Sequence, residues 1–394
     1  MSGSADLLGP VQVGPVAHGG HCVARHEGRV LFVRHTLPGE QVMVRVTDDS
    51  HDRFWRANAV EVLEASPDRV PVRCPVAGPG LCGGCDFQHV DLAAQRRLKT
   101  AVVAEQLQRL AGIDWAGEVV GVDTPETADG LHWRTRMRYQ VDDDGRAALR
   151  AHRSHALVPV PAHGCPIASR RTPTVAEERW PAGSELVAVA SAGGDALLLD
   201  GVLQRGAAEL SEHAGGRTWQ VGADGFWQVH PAAADTLVRA VLDGLAPRPG
   251  ERAFDLYCGV GLFAGALADA GCWVWGLEAG HRAVLTARQN LTDLGERVTF
   301  RADRVERGLA RLPDRADVVV LDPPRSGAGK QVMAALLARR PRAVAYVACD
   351  PAALARDLGT AAGHGYAPTR IRGYDLFPMT QHVECVAILE PTVR

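Results

Sequence analysis

Arg252-Ala253-Phe254-Asp255-Leu256-Tyr257-Cys258-Gly259-Val260-Gly261-Leu262-Phe263 decides the fold of this chain. An apolar run, a Gly-x-Gly turn and a second apolar run read as a strand, a tight turn and a helix start. This is the form in which backbone N–H groups approach a ligand closely. Trp273 to Leu277 is the next strand and delivers Glu278, an acid about 20 positions on that suits a ribose diol. Thr299-Phe300-Arg301-Ala302-Asp303 follows as another strand ending in a carboxylate. In an open α/β sheet ligands bind beyond the carboxyl ends of the strands, so all three acids face one crevice.

Further on, Asp322-Pro323-Pro324-Arg325 and Tyr346-Val347-Ala348-Cys349-Asp350-Pro351 each end a short apolar run, and Phe377-Pro378-Met379-Thr380-Gln381-His382-Val383-Glu384 comes after them. They bring an acid, a thiol and a carboxylate to the same sheet edge. A cysteine that ends a strand is more often a packing residue; the flanking motifs make Cys349 a candidate nucleophile. Glu384 starts an apolar strand, where a carboxylate without a role is unusual. Cys22, Cys258, Cys272 and Cys385 lack such company and read as core or surface thiols.

The order of turn and acids resembles the sheet with which methyltransferases bind S-adenosylmethionine. In that layout Asp255 and the turn hold the methionine end, Glu278 the ribose and Asp303 the adenine. NAD is the competing ligand, since Ala264 at the third glycine position is a variant that its fingerprint permits.

Phe226-Trp227-Gln228, Asp255 to Gly261, Asp322 to Arg325, Cys349-Asp350-Pro351 and Asp375 to Glu384, in this order, resemble the RNA 5-methyluridine (uracil-C5) methyltransferase family over nearly the whole length. The resemblance implies an α/β fold with a Rossmann-like class I methyltransferase domain at 223–394. It implies that Gln228, Tyr257, Leu262, Glu278, Asp303 and Asp322 contact the methyl donor, with Cys349 as nucleophile and Glu384 as general base. The chain departs from the family at Leu262 and Asp350, where asparagine is common, and at Ala348, where serine is. None of these removes a group that the chemistry requires.

Carbon 5 of uracil is a poor nucleophile. A thiolate added at carbon 6 turns the ring into an enolate that attacks an electrophilic methyl. A carboxylate then removes the carbon-5 proton and the thiolate leaves. Two readings compete: an RNA 5-methylcytosine methyltransferase, whose families place proline before the nucleophile where this chain has Ala348, and a catalytically retired, cluster-bearing RNA-binding protein, against which Gln228, Asp322, Cys349 and Glu384 speak.

Cys74, Cys82, Cys85 and Cys165 form a second constellation. Four thiolates, two of them in Leu81-Cys82-Gly83-Gly84-Cys85, suit tetrahedral zinc or a four-iron cluster. The resemblance favours a [4Fe-4S] cluster over zinc, because iron-sulfur members carry Cys-Gly-Gly-Cys and a distant Cys-Pro, matched here by Cys165-Pro166. The seven residues between Cys74 and Cys82 exceed the family's spacing. The cluster in turn favours ribosomal over transfer RNA as substrate.

Residues 6–65 read as a small OB-like β-barrel, in which Gly14 to Val23, Arg29 to Val33, Gln41 to Thr47 and Phe54 to Leu63 alternate or run apolar, separated by His18-Gly19-Gly20, Glu27-Gly28 and Pro38-Gly39 turns. Ala17-His18-Gly19-Gly20 and Leu37-Pro38-Gly39-Glu40 resemble the RNA-binding TRAM domain. Arg25, Arg34, Arg45, Arg53 and Arg56 are candidate phosphate partners. A mixed α+β central domain fills 66–222 and holds the cysteines. Its helix over 91–111, with Leu92, Leu98, Val102, Leu107 and Leu110 at helical intervals, is placed to pack on the catalytic domain. His132 to Gln140 predicts a strand with a basic face suited to RNA, and Glu177 to Val221 further small β-structure.

The 394 residues, 46% hydrophobic, suffice for two or three domains. No apolar stretch approaches the roughly 20 residues of a membrane span, and the expected location is cytoplasmic, as a monomer. A net charge of −3 excludes an indiscriminate polyanion binder. Only Lys99 and Lys330 are lysine, so arginine supplies nearly all the positive charge.

Overall fold

The computed structural model describes residues 7–392. Strands β1 (Leu7–Ala17), β2 (His21–His26), β3 (Arg29–Arg34), β4 (Gln41–Asp48) and β5 (Phe54–Glu64) close into a barrel in the order β1-β2-β3-β5-β4. Alternate residues fill it: Val11, Val13, Cys22, Ala24, Leu31, Val33, Val42, Val44, Ala57 and Ala59 form its core. The stretch from Gly14 to Val23 is two strands, divided at the expected His18-Gly19-Gly20 turn. The chain folds back at His18-Gly19-Gly20, where Gly19 and Gly20 take φ of 105° and 75°, values that glycine adopts at no steric penalty.

Helix α1 (Leu92–Ala111) starts at Asp91, whose carboxylate accepts the N–H groups of Ala93 and Ala94, and stops at Gly112 with φ 66°. Strand β6 (Val119–Gly121) follows. The central sheet holds β7 (Arg136–Val141), β8 (Ala147–Arg150), β9 (Leu157–Pro159), β10 (Glu185–Ser191), β11 (Gly194–Leu199) and β12 (Val202–Gly206) in the order β12-β11-β10-β7-β8-β9, and β13 (Glu209–Ala214) pairs with β14 (Arg217–Gly222). The basic strand is shorter than expected and much of its charge is engaged. Arg136 donates to the carbonyls of Ala223 and Gly225, and Arg138 lies 2.5 Å from Glu185.

The catalytic layer adds α2 (Ala233–Leu245), β15 (Arg252–Leu256), α3 (Leu262–Asp269), β16 (Trp273–Glu278), α4 (His281–Asn290), β17 (Val298–Ala302), α5 (Val305–Gly308), β18 (Val318–Leu321), α6 (Gly329–Leu337), β19 (Ala343–Ala348), α7 (Pro351–Gly363), β20 (Tyr366–Asp375) and β21 (Glu384–Pro391). The strand order is β17-β16-β15-β18-β19-β21-β20-β6. Every residue of β18 and β19 is buried, as helices on both faces of a parallel sheet demand, and their sequences are unbroken apolar runs. β21 runs antiparallel between β19 and β20. The edge strand β6 comes from the stretch assigned to the central region, and α1 packs on α7. No helix among the described residues is long and apolar enough to cross a membrane.

Candidate active site

Strand register assembles the site. Leu256 is level with Leu277 and with Leu321, and Leu321 with Tyr346, so β15, β16, β18 and β19 end along one edge. Cys349 and Asp322 lie one residue past their strands, Tyr257 begins the turn after β15, and Glu278 is the last residue of β16, one step before Asp303 on its neighbour. Asp322 N–H still donates to Leu256 O at 3.2 Å, and Asp303 N–H to Glu278 O at 3.0 Å. Glu384 reaches the same edge from the opposite direction. Because β21 is antiparallel and Ala348 is level with Cys385, the first residue of β21 sits beside the first residue beyond β19. A separation of 35 positions in sequence thus becomes a cross-strand neighbour pair.

The turn after β15 is open on the ligand side. Tyr257 holds φ 65°, Gly259 53° and Gly261 97°; a Cβ at Gly259 would meet nothing within 4 Å, whereas one at Gly261 would press on Leu291 at 3.2 Å. Positive φ at a tyrosine is uncommon and marks backbone held in place by its surroundings. Leu262 is buried at the head of α3. Glu278 accepts the N–H groups of Gly259 at 3.2 Å and Gly280 at 2.7 Å, which ties the turn to the next strand. Gln228 is half-buried directly after Trp227, which shares a core with Val260 and Leu262. Asp303 is half-buried, with Arg311 at 3.3 Å and Arg307 at 3.7 Å.

The crevice is rich in uncompensated acid. Asp255 is fully buried; Ala264 N–H donates to its Oδ2 at 2.8 Å while Oδ1 has no partner. Burial, with Asp322 and Glu278 adding, pushes it up to about 8. Burial likewise raises Asp322 to about 7. Glu384 is 4% exposed, its Oε1 unpartnered, and burial then Asp322 push it well above the carboxylate range against the pull of Arg325. Cys349 is raised to about 12 by burial, then Glu384 and Asp322, with Arg325 opposing. Orphaned buried acceptors of one sign suit a ligand that carries positive charge and N–H or O–H donors.

These shifts have a sign in stability. The folded state holds protons on Asp255, Asp322 and Glu384 that the unfolded chain releases near pH 4, so the stabilisation is complete below that and lost as pH rises through about 7 and 8. The ligand-free protein is expected to melt at a lower temperature at pH 8 than at pH 5.5. A thermal scan in which the midpoint rises over that interval would remove these acids from the account.

Residues that the sequence did not single out hold the segment leading to Glu384. Lys99, 2% exposed, donates from Nζ to Asp375 at 2.5 Å and to Phe377 O at 3.0 Å. Gln95 accepts Met379 N–H at 2.7 Å. Met379 O accepts the N–H groups of Asp86 and Phe87, and Asp86 also accepts Gln381 N–H at 3.0 Å and an Arg34 N–H at 2.8 Å. The available signal was Gln95 and Lys99 on the face of α1 that carries Leu92, Val102 and Val103, polar residues inside an apolar stripe. On the far side of Cys349, Asp350 caps α7 by accepting Ala353 N–H at 2.8 Å, Pro351 occupies the first turn, and His18 Nε2 lies 3.0 Å from the other carboxylate oxygen.

The other cysteines also converge. Cys74, Cys82, Cys85 and Cys165 line one cavity of about 70 Å³ with apolar walls that include Met137, Leu149 and Ile167. Gly84 N–H points at Cys82 Sγ at 3.4 Å and Gln88 Nε2 at Cys85 Sγ at 3.6 Å. Among the described residues no three His, Cys, Asp or Glu side chains meet closely enough to hold a metal ion. Cys22, Cys258, Cys272 and Cys385 are buried in packed cores.

Residues 10–60 match the TRAM domain and residues 301–392 match tRNA (Uracil-5-)-methyltransferase. A protein of Streptomyces avermitilis described as an uncharacterized RNA methyltransferase is 51% identical, over 98% of each chain. The chain belongs to the RNA (uracil-5-)-methyltransferase family. A second such methyltransferase, from Streptomyces coelicolor, is 50% identical over 98% of this chain and 93% of its own. One from Bifidobacterium longum is 38% identical over 96% and 95%. Among solved structures, the Pyrococcus abyssi tRNA (uracil-54, C5)-methyltransferase with S-adenosyl-L-homocysteine superposes with a TM-score of 0.71 at 22% identity, over 98% of this methyltransferase and 100% of that chain. The fold is shared from barrel to catalytic sheet.

Proposed function

We propose that this enzyme methylates carbon 5 of a uridine in structured RNA, with Cys349 as the nucleophile and Glu384 as the base that removes the carbon-5 proton. The observation that carries the reading is the cross-strand placement of Glu384 beside Cys349 at the strand ends, next to Asp322 and the open glycine turn. The methyl donor is S-adenosylmethionine, whose positive sulfonium supplies an electrophilic methyl and matches the orphaned acids. Asp255, Tyr257, Leu262 and the glycine turn would receive its amino-acid end, Glu278 the ribose, Asp303 the adenine, and Gln228 and Asp322 the region facing the base. Cys349 Sγ, its proton lost to solvent, adds as the thiolate at carbon 6, and the ring electrons move to give the enolate; carbon 5 then takes the methyl as the methyl–sulfonium bond breaks and S-adenosylhomocysteine leaves. Glu384 then accepts the carbon-5 proton, the Sγ–carbon 6 bond breaks, and the thiolate returns. Arg325, the cation that opposes the upward shifts of both groups, favours their ionised forms. The target base has to leave its stack, at about a few kcal/mol.

Glu384→Gln tests the division of labour. Turnover is expected to fall by about 10²–10⁴-fold, and unmodified RNA should accumulate as a denaturation-resistant adduct on Cys349. A slow variant without adduct would assign Glu384 to another step.

The four cysteines are proposed to hold a [4Fe-4S] cluster. A single zinc at about 2.3 Å from each sulfur draws all four together, whereas a four-iron cube gives each thiolate its own iron and leaves the sulfurs farther apart. Sulfurs that share one apolar cavity and receive N–H donors suit the cube. Iron and acid-labile sulfide in an anaerobic preparation are the expected result; one zinc per chain would refute it. Ribosomal RNA is the first substrate to test. The Pyrococcus abyssi protein acts on uracil 54 of tRNA, so unmodified ribosomal and transfer RNA transcripts belong in the same assay, read by mapping 5-methyluridine.

A further inference from the structure

The outer face of the barrel carries a row of rings that leads to the catalytic edge. His21 and Phe32 lie 4.7 Å apart between centroids, Phe32 and Phe54 5.2 Å, and Arg56 sits 5.3 Å over Phe54. At its inner end the β1–β2 turn touches both halves of the active site. His18 bonds Asp350, the residue after Cys349, and Gly20 packs so tightly on Gln381 that a Cβ there would lie 2.8 Å from it. The turn between β8 and β9, with exposed His152 and Arg153, lies near the same row, close enough for the Arg153 charge to act on His21 and Arg56. This turn is held by the cysteine loop. Gly83 N–H donates to Arg150 O at 3.0 Å, Cys82 bridges Ala151, and a Cβ on Gly83 would lie 2.8 Å from the His152 backbone.

From this geometry we infer a composite groove, walled by the β2-β3-β5 face and by the turn at 151–156, that grips the single-stranded RNA segment flanking the target uridine. Phe32 and His21 offer faces on which about two bases stack, and Arg56 and Arg153 take the phosphates between them. Charge supports a polyanion here. Among the described residues Arg153 makes no ion pair, and Arg56 has only Asp48, at 3.6 Å. His21 is pushed down to about 4 by burial and then by the nearby Arg56 and Arg153. Asp48 at the end of β4, beside Arg56 and the Phe54 end of the row, is followed by Asp49 and Asp52, and their charge turns the RNA strand inward over Phe32 towards His18. The cysteine site thereby has a second consequence: its Cys-Gly-Gly-Cys loop sets the position of Arg153.

This inference rests on the RNA reading above, and the test separates the two. Arg56→Ala, Arg153→Ala and the double variant are compared with the intact protein, and with Arg205→Ala on the far edge strand, for binding a fluorescent oligouridylate single strand across a salt series. The same proteins are assayed on ribosomal and transfer RNA transcripts, and cross-linking with a 4-thiouridine-substituted oligonucleotide maps the contact. The double variant is expected to bind about tenfold or more weakly, to lose about 1.4 from the slope of log K against log salt, and to raise KM for RNA with kcat retained. Cross-links should fall in peptides that contain Phe32 or Phe54. Wild-type binding, slope and KM in the double variant would overturn the groove, even if uridine methylation proceeds. Loss of oligouridylate binding in a protein that methylates neither transcript would keep the groove and remove the uridine reading.

Discussion

Cys349→Ala is expected to lose about 10⁴–10⁶-fold in turnover, the scale on which an enzyme falls when its nucleophile is deleted. Arg325 and the surrounding acids stay in place, so S-adenosylmethionine should still raise the melting temperature. The reason for so large an effect is chemical. The neighbouring groups do not replace it: the carboxyl groups of Asp322 and Glu384 are much weaker nucleophiles than a thiolate, and Cys385, one position further along the register, is fully buried. Cys349→Ser gives a similar loss, since an unactivated hydroxyl is a much weaker nucleophile than a thiol with some thiolate character. With 5-fluorouridine in the RNA no proton leaves carbon 5, so the intact enzyme should be trapped as an adduct and the alanine variant should not. Substantial methylation by Cys349→Ala would end the covalent scheme.

Lys99→Met should destabilise the catalytic sheet by about 3–5 kcal/mol, because it removes one partner of a buried ion pair and strands the other. Asp375 is fully buried, and its remaining cation, Arg96, stands 3.5 Å from Oδ2. For a domain of this size such a loss lowers the melting midpoint by about 10 °C. Adding Asp375→Leu should restore much of the stability, since exchanging both charges for apolar groups leaves no uncompensated ion. Activity is expected not to return with it. Lys99 also holds Phe377 O, and Gln95 and Asp86 hold Met379 and Gln381, so the chain that aims Glu384 would remain slack. A double variant with full turnover would make the pair purely structural.

Much of the fold was legible because local rules agree with the global answer. The glycine turn, the acids that follow the strands and the apolar runs at Val318 and Val344 are local signals, and they sit where the sheet needs them. The helix over 91–111 was legible for the same reason, with Asp91 and Gly112 as its caps. The barrel turn at His18-Gly19-Gly20 was legible in the same way, since two successive glycines permit the positive φ by which the chain reverses there. The strand at 119–121 was missed outright: three residues carry no periodicity, and its place at the sheet edge depends on β20. The basic strand promised more free charge than exists, because an arginine codon looks the same whether its side chain meets phosphate or, like Arg136, two carbonyls.

Residue type and spacing were enough to single out the candidate site: one thiol, one carboxylate and a glycine turn, each ending or starting an apolar run. They were also enough to order three regions along the chain. Pairing across the sheet lay outside their reach, since Glu384 neighbours Cys349 through an antiparallel register that no local pattern encodes. The same holds for the buried contacts of Lys99, Gln95 and Asp86 and for the docking of His18 on Asp350. These are long-range contacts between side chains whose types are ordinary on a surface, and burial alone turns them into supports of the catalytic edge.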